Sequence, residues 1–336
     1  MATDFMATLE EQARRSPQRV VYPESGEANI ILAAREVLDR GMAKPILIGD
    51  PGEVARIAAD LGVDLDGVEI FDVTAEGALE DLADECHASL PEISIKSAQR
   101  KFRSPLNVGS FFVAADRADA LVAGLEHATQ EVILASMTFI GMREGISTPS
   151  SLFLMRVPGF DGPQGELIVF ADCGVAVAPD AAELADITLA TAHTVTALLG
   201  WEPRAALLSF STKGSGDHES IDRVREALRM VQERAPDLLI DGELQVDAAI
   251  VPAVASRKVP GDSPVAGRAN ILIFPDLNAG NIAYKCVQRF ARADAYGPFL
   301  QGFAKTVSDL SRGSSVADIV GVTTMACVHA QGLKRL

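Results

Sequence analysis

The chain has 336 residues, 48% of them hydrophobic, which excludes a disordered chain and leaves room for about two domains of ~100–200 residues each. Its formal charge of −16 has the wrong sign for nucleic acid, which selects a basic footprint. One Trp and three Tyr are too few for a sugar groove or a base-stacking platform.

The N-terminal "MATDFMATLEEQARRS" reads as a helix of mixed charge rather than a signal sequence. "RVVYPE" is a strand, and the amphipathic "ANIILAAREVLDRG" is a helix that stops at Gly41. "KPILIG" is the next strand, and Asp50-Pro51 opens the helix "GEVARIAADLG". "VEIFDV" is again a strand, followed by helical stretches near 77–90 and 94–102. "DALVAG" is a buried strand ending in a loop around Glu126 and His127.

After Arg143 the texture changes. "STPSSLFLMRVPG" and "ELIVFADCGVAV" read as strands around a Gly/Pro-rich hairpin, "GFDGPQG". "DAAELADITLATAHTVTALLG" is a long helix, "RAALLSFS" a strand, "SIDRVREALRMVQERA" a helix and "ANILIFPD" a strand. The alternation predicts an α/β fold with mainly parallel sheets. The boundaries fall at residues 1–147, joined by about 302–336, for a first domain and 148–301 for a second. Cys86, Cys173, Cys286 and Cys327 lie far apart with no CxxC, and the histidines show no zinc spacing, so neither a metal site nor a disulfide framework is indicated. With no apolar run of ~18 residues free of charge, the chain reads as a cytoplasmic protein with no membrane partner.

Three loops after strands combine glycines, hydroxyls and a cation, the equipment for holding an anion on backbone N–H groups. The first is Ser211, Thr212, Lys213, Gly214 and Ser215. The second is Asn278, Gly280 and Asn281, ahead of Lys285. The third is "DLSRGSSVADIV", with Ser311, Arg312 and Gly313. Any one of them is explained by ordinary turn chemistry. Ser315 to Asp318 fits a helix capping box, which makes Asp318 a cap and Arg312 a surface charge. Three together favour a phosphorylated ligand. None matches G-x-x-x-x-G-K-[ST] or G-x-G-x-x-G, so neither an ATP loop nor a dinucleotide site is expected. Between the loops, Asp241, Glu243, Gln245 and Asp247 crowd the strand-like segment 236–258. Alternate residues there either face water or line a cleft.

Longer blocks carry a resemblance. "LLIDGELQVDAAIVPAVA", "SPVAGRANILIFPDLNAGNIAYK", "AYGPFLQGFAKTVSDLSRG" and "LSFSTKGS" are similar to the phosphate acetyltransferase family and its phosphate butyryltransferase relatives. The match is dense over 165–333 and traceable over 1–125. It implies reversible transfer of an acetyl group between acetyl-CoA and inorganic phosphate, with CoA as substrate and no resident metal or cofactor. It also implies two α/β domains of isocitrate/isopropylmalate dehydrogenase-like fold flanking a cleft, in a homodimer joined through the second domain. By the resemblance Ser311 steadies an oxyanion, Arg312 holds phosphate and Asp318 takes the thiol proton. Tyr284, Gln301, His127, Thr129 and Arg143 join the loop residues as candidates for substrate or CoA binding. A carboxylate of pKa ~3.9 is a poor base for a thiol near ~8.5, a gap of roughly 6 kcal/mol.

The departures are local. Glu131 and Leu134 stand where the family pattern has Asp and Arg, no arginine is found over 84–94, and Asn29 replaces another common arginine. Arg143, Arg103 and Lys101 are the available replacements. The changed segment leaves two alternatives open: another acyl chain (propionyl or butyryl), or a CoA- or acyl-CoA-binding sensor without catalysis.

Overall fold

The computed structural model describes residues 5–336; the first four residues of the expected N-terminal helix lie outside them. In chain order the first elements are α1 (Phe5–Arg15), β1 (Gln18–Tyr22), α2 (Ala28–Asp39), β2 (Ala43–Gly49), α3 (Pro51–Leu61) and β3 (Glu69–Asp72). There follow α4 (Ala78–Ser89), α5 (Ile95–Lys101), α6 (Pro105–Ala114), β4 (Ala120–Ala123) and α7 (Thr129–Phe139). The middle of the chain holds β5 (Ser150–Arg156), β6 (Leu167–Ala171), α8 (Ala181–Leu199), β7 (Arg204–Leu208), α9 (Glu219–Arg234) and β8 (Leu239–Leu244). It continues with α10 (Val246–Ile250), α11 (Pro252–Lys258), β9 (Ile271–Ile273), α12 (Leu277–Phe290) and β10 (Asp294–Gln301), and the chain closes with β11 (Thr306–Asp309) and α13 (Val316–Leu333). Two compact units result, Met1–Gly141 with Phe303–Leu336, and Met142–Gly302.

Local chemistry sets the helix ends. Asp50 accepts from the Gly52 N–H with Pro51 in the first turn of α3, and Gly62 ends that helix at φ 68°. Asp180 and Glu183 form a reciprocal capping box on α8, and Ser315 and Asp318 form another on α13. The run 105–114 has no apolar stripe; it is helical and buried nearly all round, because α6 packs on β1, β2, β4 and α7.

The first unit is a five-stranded, wholly parallel sheet in the order β11-β4-β1-β2-β3. Its strands are short apolar runs, as expected where helices cover both faces. Val20, Val21, Leu47, Ile48, Leu121 and Val122 are fully buried. From β1 the chain winds one way through β2 and β3, then the other way through β4 and β11. The switch point therefore lies between β1 and β4, where α/β proteins place ligands. Helix α13 is long and apolar enough to cross a membrane, but 67% of it is buried, against α1, α2, β1, β4 and β11.

The second unit holds a six-stranded sheet, β10-β5-β6-β9-β7-β8. The strands from β6 to β8 run parallel, and β5 and β10 add antiparallel pairs. The segment 236–258 is a strand only as far as Leu244 and then two short helices. The sequence option that alternate polar residues there face water fails at Asp241 and Glu243, which are buried and paired with Lys213 and Arg225.

Gly280 illustrates packing that the sequence hides. A Cβ there would lie 2.2 Å from the Asp172 carbonyl oxygen and 3.1 Å from Cys173 Sγ. Glycine is needed because α12 runs against that backbone. Gly280→Ala is expected to lower stability by about 1–3 kcal/mol through overpacking, read as a lower melting temperature of the purified protein; a wild-type melt would contradict this contact.

Candidate active site

The C-terminal ends of β1, β4 and β11 bring three loops of the first unit together, and one buried carboxylate organises them. Glu24 follows β1 and is 2% exposed. Its oxygens accept the Gly124 N–H at 3.1 Å, Leu125 N–H at 2.9 Å, Glu126 N–H at 3.0 Å and His127 N–H at 2.9 Å. His127 Nδ1 lies 2.9 Å from the same carboxylate, and since a carboxylate only accepts, Nδ1 carries the proton. Burial works to raise the Glu24 pKa, but the His127 hydrogen bond and the backbone donors hold it below the ordinary value. The same bond raises the pKa of His127 against the opposing effect of burial.

Gly124 adopts φ 112°, and a Cβ there would lie 2.3 Å from Asp309 Oδ1 and 2.7 Å from the Leu310 backbone. Only glycine fits. Leu310 N–H donates to the Ala123 carbonyl at 2.7 Å, which seats the loop after β11 beside the loop after β4. Asp309, the last residue of β11, is 3% exposed and accepts from Thr129 Oγ1 at 2.5 Å. Burial pushes its pKa up to about 6, opposed by the Thr129 bond and aided by the nearby charge of Glu24.

Beyond Asp309 the chain comes to the surface. Ser311, Arg312 and Asp318 are all exposed, and Arg312 makes no hydrogen bond or ion pair among the described residues. The turn is held from behind: Ser314 N–H donates to the Ser311 carbonyl at 2.9 Å, and Asn29 Nδ2 donates to the Ser314 carbonyl at 3.1 Å. Asn29, standing where an arginine is common, thus holds the turn. Asp318 caps α13 through Oδ2, which accepts from Ser315 N–H at 2.9 Å and Ser315 Oγ at 2.8 Å. Its Oδ1 makes no hydrogen bond among the described residues, so the cap leaves one carboxylate oxygen open to another donor.

The candidates of the second unit are differently engaged. In the loop after β7 the backbone N–H of Gly214 and the hydroxyl of Ser211 donate to Glu243 at 2.8 and 2.9 Å. Lys213 is ion-paired with Asp241 and donates to the Gly242 carbonyl. Thr212 N–H donates to Ser215 Oγ, and Thr212 Oγ1 to Gln245. The expected anion cradle is therefore occupied by the protein's own carboxylates. That outcome was invisible in the sequence because Glu243 lies about thirty residues downstream of the loop.

At α12 the terminus is capped by Asp276, which accepts from the Ala279 N–H at 2.9 Å, Gly280 serves packing, and Asn281 donates to the Cys173 carbonyl at 3.1 Å. Tyr284 stacks on Phe153 with ring centres 4.3 Å apart. Gln301 is buried, bonded to Ser150 and Thr191. Asn278 and Lys285 remain exposed.

The proposed replacement arginines stand apart from the Ser311 turn in sequence and setting. Arg143 lines a cavity of about 440 Å³ in the second unit with Ile146, Leu189, His193 and Arg234, and burial lowers its pKa. Arg103 lines a hollow of about 460 Å³ with Ser94, Lys96 and Arg100. Leu134 is 67% exposed on α7, and Glu131 accepts the Ala128 N–H at the start of that helix. Glu24 and Asp309 were not singled out by sequence. Asp309 sits inside the quoted "DLSRG" block, whereas the only signal for Glu24 is an acid directly after an apolar strand.

Comparison with known proteins identifies the family. The family model described as "Phosphate acetyl/butaryl transferase" matches residues 4–327. The chain belongs to that family. It is 43% identical over 329 residues to the phosphate acetyltransferase of Thermoanaerobacterium thermosaccharolyticum, covering 97% of this chain and 99% of that protein. It is 41% identical over 332 residues to the phosphate acetyltransferase of Acetivibrio thermocellus, covering 98% and 99%. Among solved structures, a phosphotransacetylase from Streptococcus pyogenes superposes with a TM-score of 0.90 at 36% identity, covering 98% of this chain and 99% of that one.

The Glu24–His127 pair carries a pH signature. His127, with its pKa raised above the ordinary 6.5, contributes stability fully present below that value and lost as pH rises through the folded one. Glu24, lowered from 4.5, contributes stability present above that value and lost as pH falls through the folded one. His127→Ala should therefore lower the melting temperature more at pH 6 than at pH 9. An equal drop at both would mean that the ring is neutral in the fold.

Proposed function

We propose that this protein is a phosphate acetyltransferase, moving an acetyl group reversibly between CoA and inorganic phosphate. The observation that carries the reading is the full-length identity of about two residues in five to phosphate acetyltransferases, together with an exposed serine, arginine and aspartate on the segment that follows β11, beside the loop after β4. Acyl-CoA, acyl phosphate and phosphate are its partners as substrates. We also propose that it works as a homodimer joined through the second unit, as the family resemblance implies. A cytoplasmic location suits its four free cysteines.

In the direction of CoA acetylation, Asp318 Oδ1 accepts the proton of the CoA thiol while Oδ2 keeps its helix cap. The thiolate attacks the acetyl phosphate carbonyl carbon, and the negative charge moves to the carbonyl oxygen, to which Ser311 Oγ donates a hydrogen bond. The C–O bond to phosphate then breaks as the leaving oxygen takes the proton from Asp318, and Arg312 holds the departing hydrogen phosphate dianion with its planar fork. Acetyl-CoA and hydrogen phosphate are the products, and Asp318 is again a carboxylate. The basicity gap between carboxylate and thiol is met by binding the thiolate next to Arg312, which stabilises the anion rather than requiring a strong base.

A second reading within the class has its own observation. Leu134 presents an apolar side chain at 67% exposure where the family pattern carries a cation, which suits an acyl chain longer than acetyl.

Ser311→Ala should lower kcat about 10²-fold, the scale of one lost oxyanion donor, with the KM for CoA little changed. Arg312→Ala should act mainly on the KM for acetyl phosphate. If Ser311→Ala, Arg312→Ala and Asp318→Asn all turn over like the parent, these roles are wrong.

A further inference from the structure

We propose that Asp309 is a positioning residue of the acyl-transfer site, whose carboxylate latches Thr129, and with it the loop after β4, to the turn that carries Ser311 and Arg312. The inference rests on the activity proposed above. Asp309 ends β11 opposite Ala123 of β4. Its Oδ2 accepts a hydrogen bond from Thr129 Oγ1 at 2.5 Å, and its buried Oδ1 makes no hydrogen bond among the described residues. The absence of a side chain at Gly124 leaves the space in which Oδ1 sits.

This arrangement works against stability. A buried carboxylate with one bare oxygen loses its hydration with partial return, and burial beside Glu24 pushes its pKa up to about 6. An asparagine would fill the same space without the charge. Residues that break a local rule at a cost to folding cluster where function needs them, and Asp309 stands two residues from Ser311.

The latch ties the loop after β4, which Glu24 holds fixed, to the turn that carries the reacting groups. One carries His127 and Thr129, the other Ser311 and Arg312, and a shift near 1 Å between reacting groups costs as much as ~10²-fold in rate. An ionised acceptor holds a hydroxyl more strongly than a neutral one, so the charged form of Asp309 is the working form, and the latch slackens as pH falls through about 6. The charged group that acts on it is Glu24 from the loop after β1; Glu126, His127 and Glu131 lie on the loop after β4 and the start of α7, which Thr129 joins to it, and His329 of α13 bonds Thr306 of β11. Arg312 and Asp318 follow on its own segment. Strand β4 itself contributes none.

The test compares Asp309→Asn, Thr129→Val and Thr129→Ser in the full chain. Hydrogen–deuterium exchange at pH 7.5 should be about ten-fold faster over residues 310–315 in the first two, the scale of one charge-assisted hydrogen bond, and close to wild type in Thr129→Ser, which keeps the hydroxyl. Asp309→Asn should lower kcat about ten- to hundred-fold with the KM for CoA within about two-fold, and should remove an acid limb near pH 6 from the rate profile.

Its melting temperature should exceed wild type at pH 7.5 but not at pH 4. A carboxyl group raised from 3.8 to about 6 loses stability for the wild type as pH climbs through that interval, whereas the amide loses none. Wild-type exchange in both Asp309→Asn and Thr129→Val overturns the latch, as do losses in kcat that multiply independently in the double variant. An unmutated protein that fails to transfer acetyl groups refutes the activity instead, and the exchange result then decides the latch alone.

Discussion

The buried carboxylate of Glu24 is the constraint on which the first unit's site depends. The switch point between β1 and β4 leaves a row of backbone N–H groups, from Gly124 to His127, turned inward at the carboxyl end of the sheet. Four unsatisfied buried donors would be untenable, each costing about 1–3 kcal/mol. Glu24 satisfies all four and takes the His127 ring as well. With that loop fixed, the Leu310 N–H can dock on the Ala123 carbonyl. The segment after β11 then rises to the surface as the turn of Ser311 and Arg312.

The two units handle internal charge by the same means, with different consequences. In the second unit Asp241 and Glu243 are buried in β8, and Lys213 and Arg225 meet them. Removing either partner would leave an uncompensated buried charge, the costly half of a buried ion pair. The loop after β7 is consequently wrapped on Glu243 and has few donors to spare. In the first unit the buried acid is answered mainly by backbone N–H groups, and Arg312 makes no ion pair among the described residues. An accessible cation at this turn, on a chain of formal charge −16, is a local reversal of the overall field, which anionic substrates require.

Much of this was open to reading in the sequence where the signals are local. The Asp50-Pro51 start and Gly62 stop of α3 and the Ser315–Asp318 box on α13 follow from short-range chemistry and are present. The apolar runs from "RVVYPE" to "ANILIFPD" are strands, and the mainly parallel α/β class follows from their alternation with helices. What could not be read is what depends on partners distant in the chain. Lys213, Gly280, Asn281 and Gln301 look like ligand residues by type, yet Asp241, the Asp172 carbonyl, the Cys173 carbonyl and the Ser150–Thr191 pair claim them. Glu24 and Asp309 look ordinary in sequence because the groups they hold, from Gly124 to Thr129, lie about a hundred or more positions away. Helix α6 escaped for another reason: burial on all sides erases the period that identifies a surface helix.

The most direct measurement is release of free CoA thiol from acyl-CoAs by the purified protein, with and without inorganic phosphate, across acetyl, propionyl, butyryl and bulkier chains. Release that requires phosphate and is fastest with acetyl-CoA is the expected result, and a maximum at a longer chain would move the substrate to that chain within the same chemistry. No phosphate-dependent release from any acyl-CoA, with CoA still bound, would contradict the transferase and leave a binding protein built on the same fold.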